Sequence, residues 1–401
     1  MAEPLADEIE DEAITVAEFQ LPAPSALDTS EREELVTGAL ERICLSGDEM
    51  AGLPDVDVKD GVKLAVQAKE AWMLFMVRLA TRGVAGKRKA IADYISADFS
   101  ARSKLAAVWL NEEWYSDLIN HTVNYPSHLD TVLAALISNI DAKDRFLSTF
   151  LNSLPEITPQ VISTLTTLCL EPERGIVGFI ALRELIETRP PVRKGALGKL
   201  LELCTHPDRK IRYPAIKTVN RWALDSPMAD AVISYALGIM RRLDSTYAKS
   251  EMEVDDNDTK DTMSALTVTK KPTVASAYIS EITPDTVQQH VELAFALSRR
   301  RQDMLADIFA LYPSLQPPIA DAVEQLLTPL IQSLGATAKL TDVIRHFPDG
   351  AEKLALKVVS ILSAEGGSGT VGPLVKGLMA DRPDLDVGFI IPIIGELDKV
   401  S

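Results

Sequence analysis

Starts of helix pairs recur along this sequence at a nearly constant spacing, and this period constrains the fold more than any other feature. The starts form two series with steps of 33 and 36 and then of 34 and 34 residues, near residues 158, 191 and 227 and near residues 283, 317 and 351. A fixed period in the thirties with two helices per unit predicts an α-solenoid, in which each repeat packs only on its neighbours.

Proline and hydroxyl residues mark several of these starts. Thr158-Pro159, Ser226-Pro227 and Thr283-Pro284 each place a hydroxyl at the N-cap and proline in the first helical position. There the hydroxyl accepts from a free backbone N–H, and the N–H that proline lacks would have had no helical partner. From about residue 62 onward, apolar residues recur at helical spacing and no alternating strand pattern is seen. The sequence therefore predicts an all-α protein.

One segment favours a particular repeat type. "HPDRKIRYPAIKTV" is typical of the second helix of a HEAT repeat. Asp208 is expected to cap this helix, Arg212 to reach the preceding turn, Ile211 and Ile216 to point inward, and Ala215 to allow close approach. We predict a HEAT-like α-solenoid of antiparallel helix pairs, in two blocks joined by an acidic linker. The alternative is a helical domain without repeats.

Negative charge is concentrated in two segments. The net charge is −17, of which residues 1–34 contribute −10 and residues 251–261 contribute −5. Acidic segments poor in large apolar residues do not bury enough surface to offset the entropy of ordering. We therefore predict four regions: a disordered acidic segment, a HEAT-like repeat block, a flexible acidic linker and a second helical block, over residues 1–34, 35–243, 244–275 and 276–401.

Apolar stripes at helical spacing predict which residues lie between helices. These candidate core residues are Ile180, Leu185, Leu201, Ile216 and Trp222. Tyr213 also lies at core-like spacing. Cys169 and Cys204 fall on apolar helix faces, where cysteine is usually a small buried hydrophobic residue.

Residue patterns that carry catalysis are absent from the sequence. The three cysteines are widely spaced, and none of the five histidines has metal-ligand spacing with another histidine or a cysteine. "GSGTVG" at 367–372 follows a helical segment rather than a strand, so it does not predict a dinucleotide site. We predict no catalytic, metal or cofactor residue, no membrane span, and a soluble intracellular protein that is not an enzyme.

Basic residues gather locally, since residues 171–222 carry a net charge of +5. One interpretation is an ordinary solvated face. The other is a basic ridge that receives an acidic partner segment. RNA is less favoured as the partner, because Tyr213 and Trp222, the aromatic residues among and beside these cations, lie at core-like spacing. The predicted ridge consists of Arg183, Arg189, Arg193, Lys194, Arg209, Lys210, Lys217 and Arg221.

The motifs together resemble the symplekin family, which scaffolds the pre-mRNA 3′-end cleavage and polyadenylation machinery. The resemblance is most specific in "RELIETRPPVRKGALGKLLELCTHPDRKIRYPAIKTVNRW" at 183–222 and in three segments at 311–335, 347–363 and 382–400. It implies a middle segment of such a protein, without the family's N-terminal HEAT domain and most of its C-terminal domain.

The resemblance also implies a function. We expect a non-enzymatic scaffold in the nucleus, whose partners are proteins of the cleavage and polyadenylation machinery. In the family these include a metallo-β-lactamase-type endonuclease and its inactive paralogue; direct RNA contact is not expected. An alternative from the fold alone is a HEAT-type adaptor or transport protein that binds extended peptides, and an enzyme with an unrecognised site is a third.

Overall fold

A computed structural model describes residues 25–51, 62–82, 87–140, 145–224, 226–243, 283–365 and 368–394. Every regular element in these ranges is helical and no strand occurs among them, so the all-α prediction is confirmed. None of the described helices combines the length and apolar character needed to cross a bilayer. The chain divides into two units, Met1–Tyr125 and Pro126–Ser401.

The first unit is built from four helices. They are α1 (Thr29–Ala51), α2 (Val62–Arg82), α3 (Lys87–Ala97) and α4 (Phe99–Asn120). α2 packs against the other three, and the core contains Met76, Ile91 and Trp109. α1 begins at Thr29, so the last residues of the segment predicted to be disordered are helical, while residues 1–24 lie outside the described part.

A buried carboxylate links three helices of this unit. Glu113 on α4 is fully buried, and its Oε1 accepts from Arg88 Nε at 2.9 Å, Thr81 Oγ1 at 3.0 Å and Trp109 Nε1 at 3.0 Å. A buried ion is tolerated when it is paired and its remaining lone pairs are occupied. The hydrogen bonds and the ion pair therefore explain the burial of Glu113 as structural, and its carboxylate is not free to act as an acid or a base.

The second unit contains the period seen in the sequence. Its first helix, α5 (Tyr125–Asn139), starts at the unit boundary. The helices that follow, α6 to α17 in chain order, are Phe146–Ser153, Pro159–Cys169, Gly175–Thr188, Pro190–Leu203, Arg209–Val219, Ala229–Arg241, Pro284–Ser298, Met304–Leu311, Pro317–Leu334, Ala338–Arg345, Glu352–Ala364 and Ser368–Asp381. Short 3₁₀ turns follow α10, α13 and α17 (Asn220–Trp222; Tyr312–Ser314; Val387–Phe389 and Ile391–Ile393).

Contacts in this unit run between helices one or two positions apart in the chain. Alternate helices lie side by side in the series α6–α8–α10, α7–α9, α12–α14–α16 and α13–α15–α17. Sequential neighbours such as α7–α8, α8–α9 and α11–α12 also pack together. Stacking limited to near neighbours is the pattern of an α-solenoid. The linker predicted over 244–275 lies outside the described residues, and its flexibility stays a prediction.

Helix starts agree closely with the prolines that predict them. Thr158 accepts from Val161 N and Thr283 from Thr286 N, with proline following each. Ser226-Pro227 differs, because Ala229 N bonds to Ser226 O in a turn and α11 begins only at Ala229. The proline thus starts the turn before the helix.

The close packing of α7 and α8 depends on glycine. A Cβ at Gly178 on α8 would lie 2.8 Å from Cys169 Sγ and 2.9 Å from Cys169 N on α7. Real Cβ atoms do not approach other atoms this closely, so only glycine lets α7 and α8 pack at this distance. Cys169 and Cys204 are both buried, as predicted.

The predicted inward-facing residues are buried except at Ile180, Ile211 and Tyr213, and Ile211 is half-buried. Leu185, Leu201, Ile216 and Trp222 are buried. Ile180 is only half-buried, because α8 is apolar on nearly every side and turns Ile176 and Ile180 toward its outer side. Tyr213 is 58% exposed, so its assignment to the core is wrong.

Candidate functional site

The predicted basic ridge separates into two groups with different surroundings. Arg183, Arg189 and Arg193 are half-buried around the junction of α8 and α9. Lys194 on α9 is exposed, as are four cations on and after α10, namely Arg209, Lys210, Lys217 and Arg221. The structure therefore does not present the eight residues as one equally accessible surface.

Arg189 is the single residue between α8 and α9, and its side chain reaches back to α6. Its Nη2 donates to the carbonyl oxygens of Asn152 and Leu154 at 2.6 Å each and of Leu151 at 3.3 Å. These carbonyls lie in the last turn of α6 and directly after it, where helix carbonyls run out of N–H partners, and Leu151 O also accepts from Leu154 N at 3.4 Å. A guanidinium at a helix C-terminus supplies those hydrogen bonds and opposes the negative end of the helix dipole.

Arg193 donates in the same way to carbonyl oxygens at the end of α8. Its Nε donates to Ile186 O at 2.8 Å and its Nη2 to Glu187 O at 3.3 Å, both in the last turn of α8. Arg183 instead lies 3.5 Å from Glu184, and its Nε is buried without a hydrogen-bond partner.

Arg212 on α10 is the most buried cation of the second unit among the described residues. It is 4% exposed, and its Nη1 donates to His206 O at 2.7 Å and Pro207 O at 3.0 Å. Its Nε donates to Glu292 Oε2 on α12 at 2.6 Å. Asp208 caps the helix through Lys210 N at 2.8 Å. The predicted Asp208 cap and the predicted reach of Arg212 are confirmed, and Ala215 and Ile216 are buried, whereas Ile211 is only half-buried. We call Arg189, Arg193 and Arg212 the capping arginines.

The other side of α10 carries the accessible cations. Arg209, Tyr213, Lys217 and Arg221 follow one another at four-residue steps, and Lys210 lies beside them. At 3.6 residues per turn, the four positions on α10 fall within about 100° of the helix circumference, and Arg221 follows in the 3₁₀ turn. All five are exposed, and within the described part of the chain the four cations make no side-chain hydrogen bond or ion pair. We call these five residues the α10 outer face.

Acidic side chains near the α10 outer face are already engaged. The Asp208 carboxylate accepts from Lys210 N, as described above. Glu187 Oε1 accepts from the buried Trp222 Nε1 at 3.2 Å. α10 itself contains no acidic residue. This face therefore combines unpaired positive charge with one exposed aromatic ring.

Two surfaces were not predicted from the sequence. In the first unit, a groove of about 300 Å³ lies between α1 and α2. Its lining is Ala39, Arg42, Ile43, Ser46, Trp72 and Phe75. In the second unit, Val387, Ile391 and Ile394 are each more than half exposed. Their spacing of four and three residues is the only sequence signal that could have found them.

Groups suited to chemistry are not assembled in the ranges that the structure describes. No cluster of three histidine, cysteine or acidic residues is placed to hold a metal ion there. Burial raises the pKa of the Cys169 thiol to about 12, and it raises the pKa of Cys204 as well. Both thiols are therefore protonated at neutral pH, and neither is a nucleophile.

The fold defines the class of this protein: an all-α protein whose larger unit is a stack of helices in contact with near neighbours. No protein-family model matches the sequence. A curated relative is similar, the mRNA cleavage and polyadenylation specificity factor complex subunit pta1 of Schizosaccharomyces pombe. The two are 24% identical over 215 residues, which cover 43% of this chain and 32% of pta1. The matched part thus spans about a third of the length of that relative.

Proposed function

We propose that this chain is a non-enzymatic scaffold that helps hold together subunits of the pre-mRNA 3′-end cleavage and polyadenylation complex. The observation that carries the proposal is the similarity to pta1, a protein whose name places it in such a complex. Pre-mRNA is processed in the nucleus, so the proposed site of action is nuclear. The proposal gives no residue a catalytic role.

The architecture supports a binding role. A stack in which each helix contacts only its near neighbours leaves a long continuous surface, which suits extended or multiple protein partners. The confirmed features of the α10 segment, the Asp208 cap and the inward Arg212, favour HEAT-type repeats as the building unit. The resemblance to the symplekin family adds the metallo-β-lactamase-type endonuclease and its inactive paralogue as proposed partners.

Affinity purification tests the proposal directly. The tagged full chain is incubated with nuclear extract treated with ribonuclease, and retained proteins are identified by mass spectrometry. We expect cleavage and polyadenylation subunits to be enriched at least tenfold over a tag-only control. Ribonuclease ensures that the retained subunits are held by protein contacts.

Binary binding then sharpens the result. Purified endonuclease and paralogue subunits are titrated against the chain, and a reciprocal pull-down from the endonuclease should recover it. Retention of unrelated cargo peptides or transport receptors, without any 3′-processing subunit, would favour the adaptor alternative and reject the scaffold.

A further inference from the structure

We propose that the α10 outer face binds single-stranded RNA, with its four cations on the phosphates and the Tyr213 ring stacked on a base. This inference is independent of the scaffold proposal, since it concerns one face of one helix and a different class of partner. It reverses the expectation from sequence, which set RNA aside because Tyr213 was assigned to the core.

The arrangement of the face suits a strand. Arg209, Tyr213 and Lys217 follow one another at four-residue steps in a row that winds gradually around α10, Lys210 lies beside it, and Arg221 continues it in the 3₁₀ turn. At about 1.5 Å per residue the row is about 18 Å long, enough to lie along several nucleotides of an extended strand. Proteins that bind single strands without sequence preference combine a positive track for the backbone with aromatic rings for the bases.

The charges of the face are available for a polyanion. Among the described residues, none of its four cations is paired, unlike the capping arginines. The neighbouring carboxylates of Asp208 and Glu187 accept hydrogen bonds from Lys210 N and Trp222 Nε1. Most of the acidity of the chain lies elsewhere, since residues 1–34 and 251–261 contribute −15 of the net −17.

Tyr213 is what distinguishes RNA from an acidic protein segment. Its ring is 58% exposed in the middle of the row, where burial would otherwise be favourable for an aromatic side chain. A carboxylate partner would use the cations and gain nothing from the ring. A nucleic acid base has a flat face, and stacking on an aromatic ring is a substantial part of single-strand affinity.

The test is fluorescence anisotropy with the full chain and a labelled oligouridine of about 12 nucleotides, within the range of known single-strand site sizes. Tyr213→Ala should weaken binding by about 5- to 160-fold, the range that corresponds to the loss of one stacked base. Tyr213→Phe keeps the ring and should bind within about twofold of the unmodified chain. Polyglutamate of similar length serves as a polyanion without bases.

Charge variants give a second, independent readout. Changing Arg209, Lys210, Lys217 and Arg221 to glutamine should abolish most binding. It should also reduce the slope of log affinity against log salt concentration by up to about 2.8, since each of four phosphate contacts contributes about 0.7 to that slope. The matched comparison is Lys217→Gln with Arg221→Gln against Arg299→Gln with Arg300→Gln, since each pair removes two exposed cations and the second pair, directly after α12, has no aromatic residue between its members. The variant of the second pair should bind oligouridine as the unmodified chain does.

Three outcomes would overturn the proposal. They are no binding of oligouridine at low salt, equal binding by Tyr213→Ala and the unmodified chain, and polyglutamate binding as tightly as oligouridine. The last result would assign the face to an acidic protein segment instead. Circular dichroism melts of each variant should match the unmodified chain, so a loss of binding cannot come from unfolding.

Discussion

Arg189 and Arg221 belong to the same basic stretch of sequence, but the fold places them in different surroundings. Arg189 donates to three carbonyls at the end of α6, and Arg221 extends into solvent from the turn after α10. The same contrast separates the capping arginines as a group from the α10 outer face. A cluster of basic residues in the sequence of this repeat protein therefore contains two kinds of cation, those that donate to backbone carbonyls and those that form an exposed basic surface.

Arginine rather than lysine suits the first of these uses. All three capping arginines donate to carbonyls through a planar group with several N–H donors in fixed directions, which lysine lacks. The accessible cations include Lys194, Lys210 and Lys217, for which a flexible point charge in water is sufficient. The choice of arginine or lysine thus helps to distinguish carbonyl-binding cations from exposed ones, which charge alone cannot do.

The largest expected effect is at the most buried capping arginine. Arg212→Ala leaves Glu292 and the carbonyls of His206 and Pro207 without their partner. Because the Glu292 side chain is 22% exposed, the loss should lie at the lower end of the about 3–5 kcal/mol that is typical of breaking a fully buried pair. Urea unfolding should show this loss of stability, and Glu292→Gln should lose less because the amide still accepts a hydrogen bond. A change below about 1 kcal/mol for Arg212→Ala would mean that the pair is not formed.

A smaller loss is expected at the junction of α8 and α9. Arg189→Ala exposes or orphans three carbonyls, and we expect a loss of about 1–3 kcal/mol from unpaired, partly buried acceptors. Arg189→Lys should recover only part of it, because one ammonium cannot reproduce the guanidinium geometry. Equal stability of the lysine and arginine proteins would show that only the charge matters there.

The glycine contact gives a comparison within helices of the same region. Gly178→Ala forces a Cβ against the backbone of α7 and should destabilise by about 1–3 kcal/mol through overpacking. Gly198→Ala on α9 meets no atom within 4 Å, and alanine in a helix interior is favoured over glycine by up to about 1 kcal/mol. Thermal melts should therefore move in opposite directions for the two variants.

The smallest effect is expected on the α10 outer face. Lys217→Ala changes a solvated side chain without described partners, and such surface substitutions usually alter stability by no more than about 0.5 kcal/mol. The same denaturant titration used for Arg212→Ala measures it. A loss of stability above about 1 kcal/mol would mean that Lys217 stabilises the fold as the capping arginines do, and the contrast between the two groups would then be wrong.

Much of this architecture could be predicted from the sequence because its signals are local. Thr158-Pro159 and Thr283-Pro284 fix helix starts through their own side chains and backbone. Asp208 caps within one turn, and the carbonyls that Arg212 bonds lie only five and six residues earlier, although its partner Glu292 lies 80 residues later. Arg189 could not be assigned, because its acceptors lie 35–38 residues earlier in the chain. The division of the ridge into capping and exposed cations depends on such distant contacts.

The misplaced aromatic and aliphatic residues have another cause. A helix in a stack has neighbours on several sides and one outer side, so periodicity identifies an apolar residue without saying which side it faces. α8 is apolar almost all round, and Ile180 falls toward its outer side. Tyr213 lies four residues from both Arg209 and Lys217, so it is on the same side of α10 as these cations. That shared position predicts the exposure of Tyr213 better than its spacing from apolar residues does. The predicted ridge as a partner-binding site stays a prediction.

The reach of Arg189 across one repeat has a consequence for how the stack opens. Arg174 donates to Ile137 O at 2.5 Å, Arg189 to Leu154 O, and Arg382 to Phe347 O at 2.8 Å, each over 35–37 residues, about one period. Fraying of α9 at its first turn would release the end of α6 as well, so neighbouring repeats share their local unfolding free energy. The amides at the end of α6 and at the start of α9 should then exchange with solvent hydrogen as one cooperative group rather than as two independent helix ends.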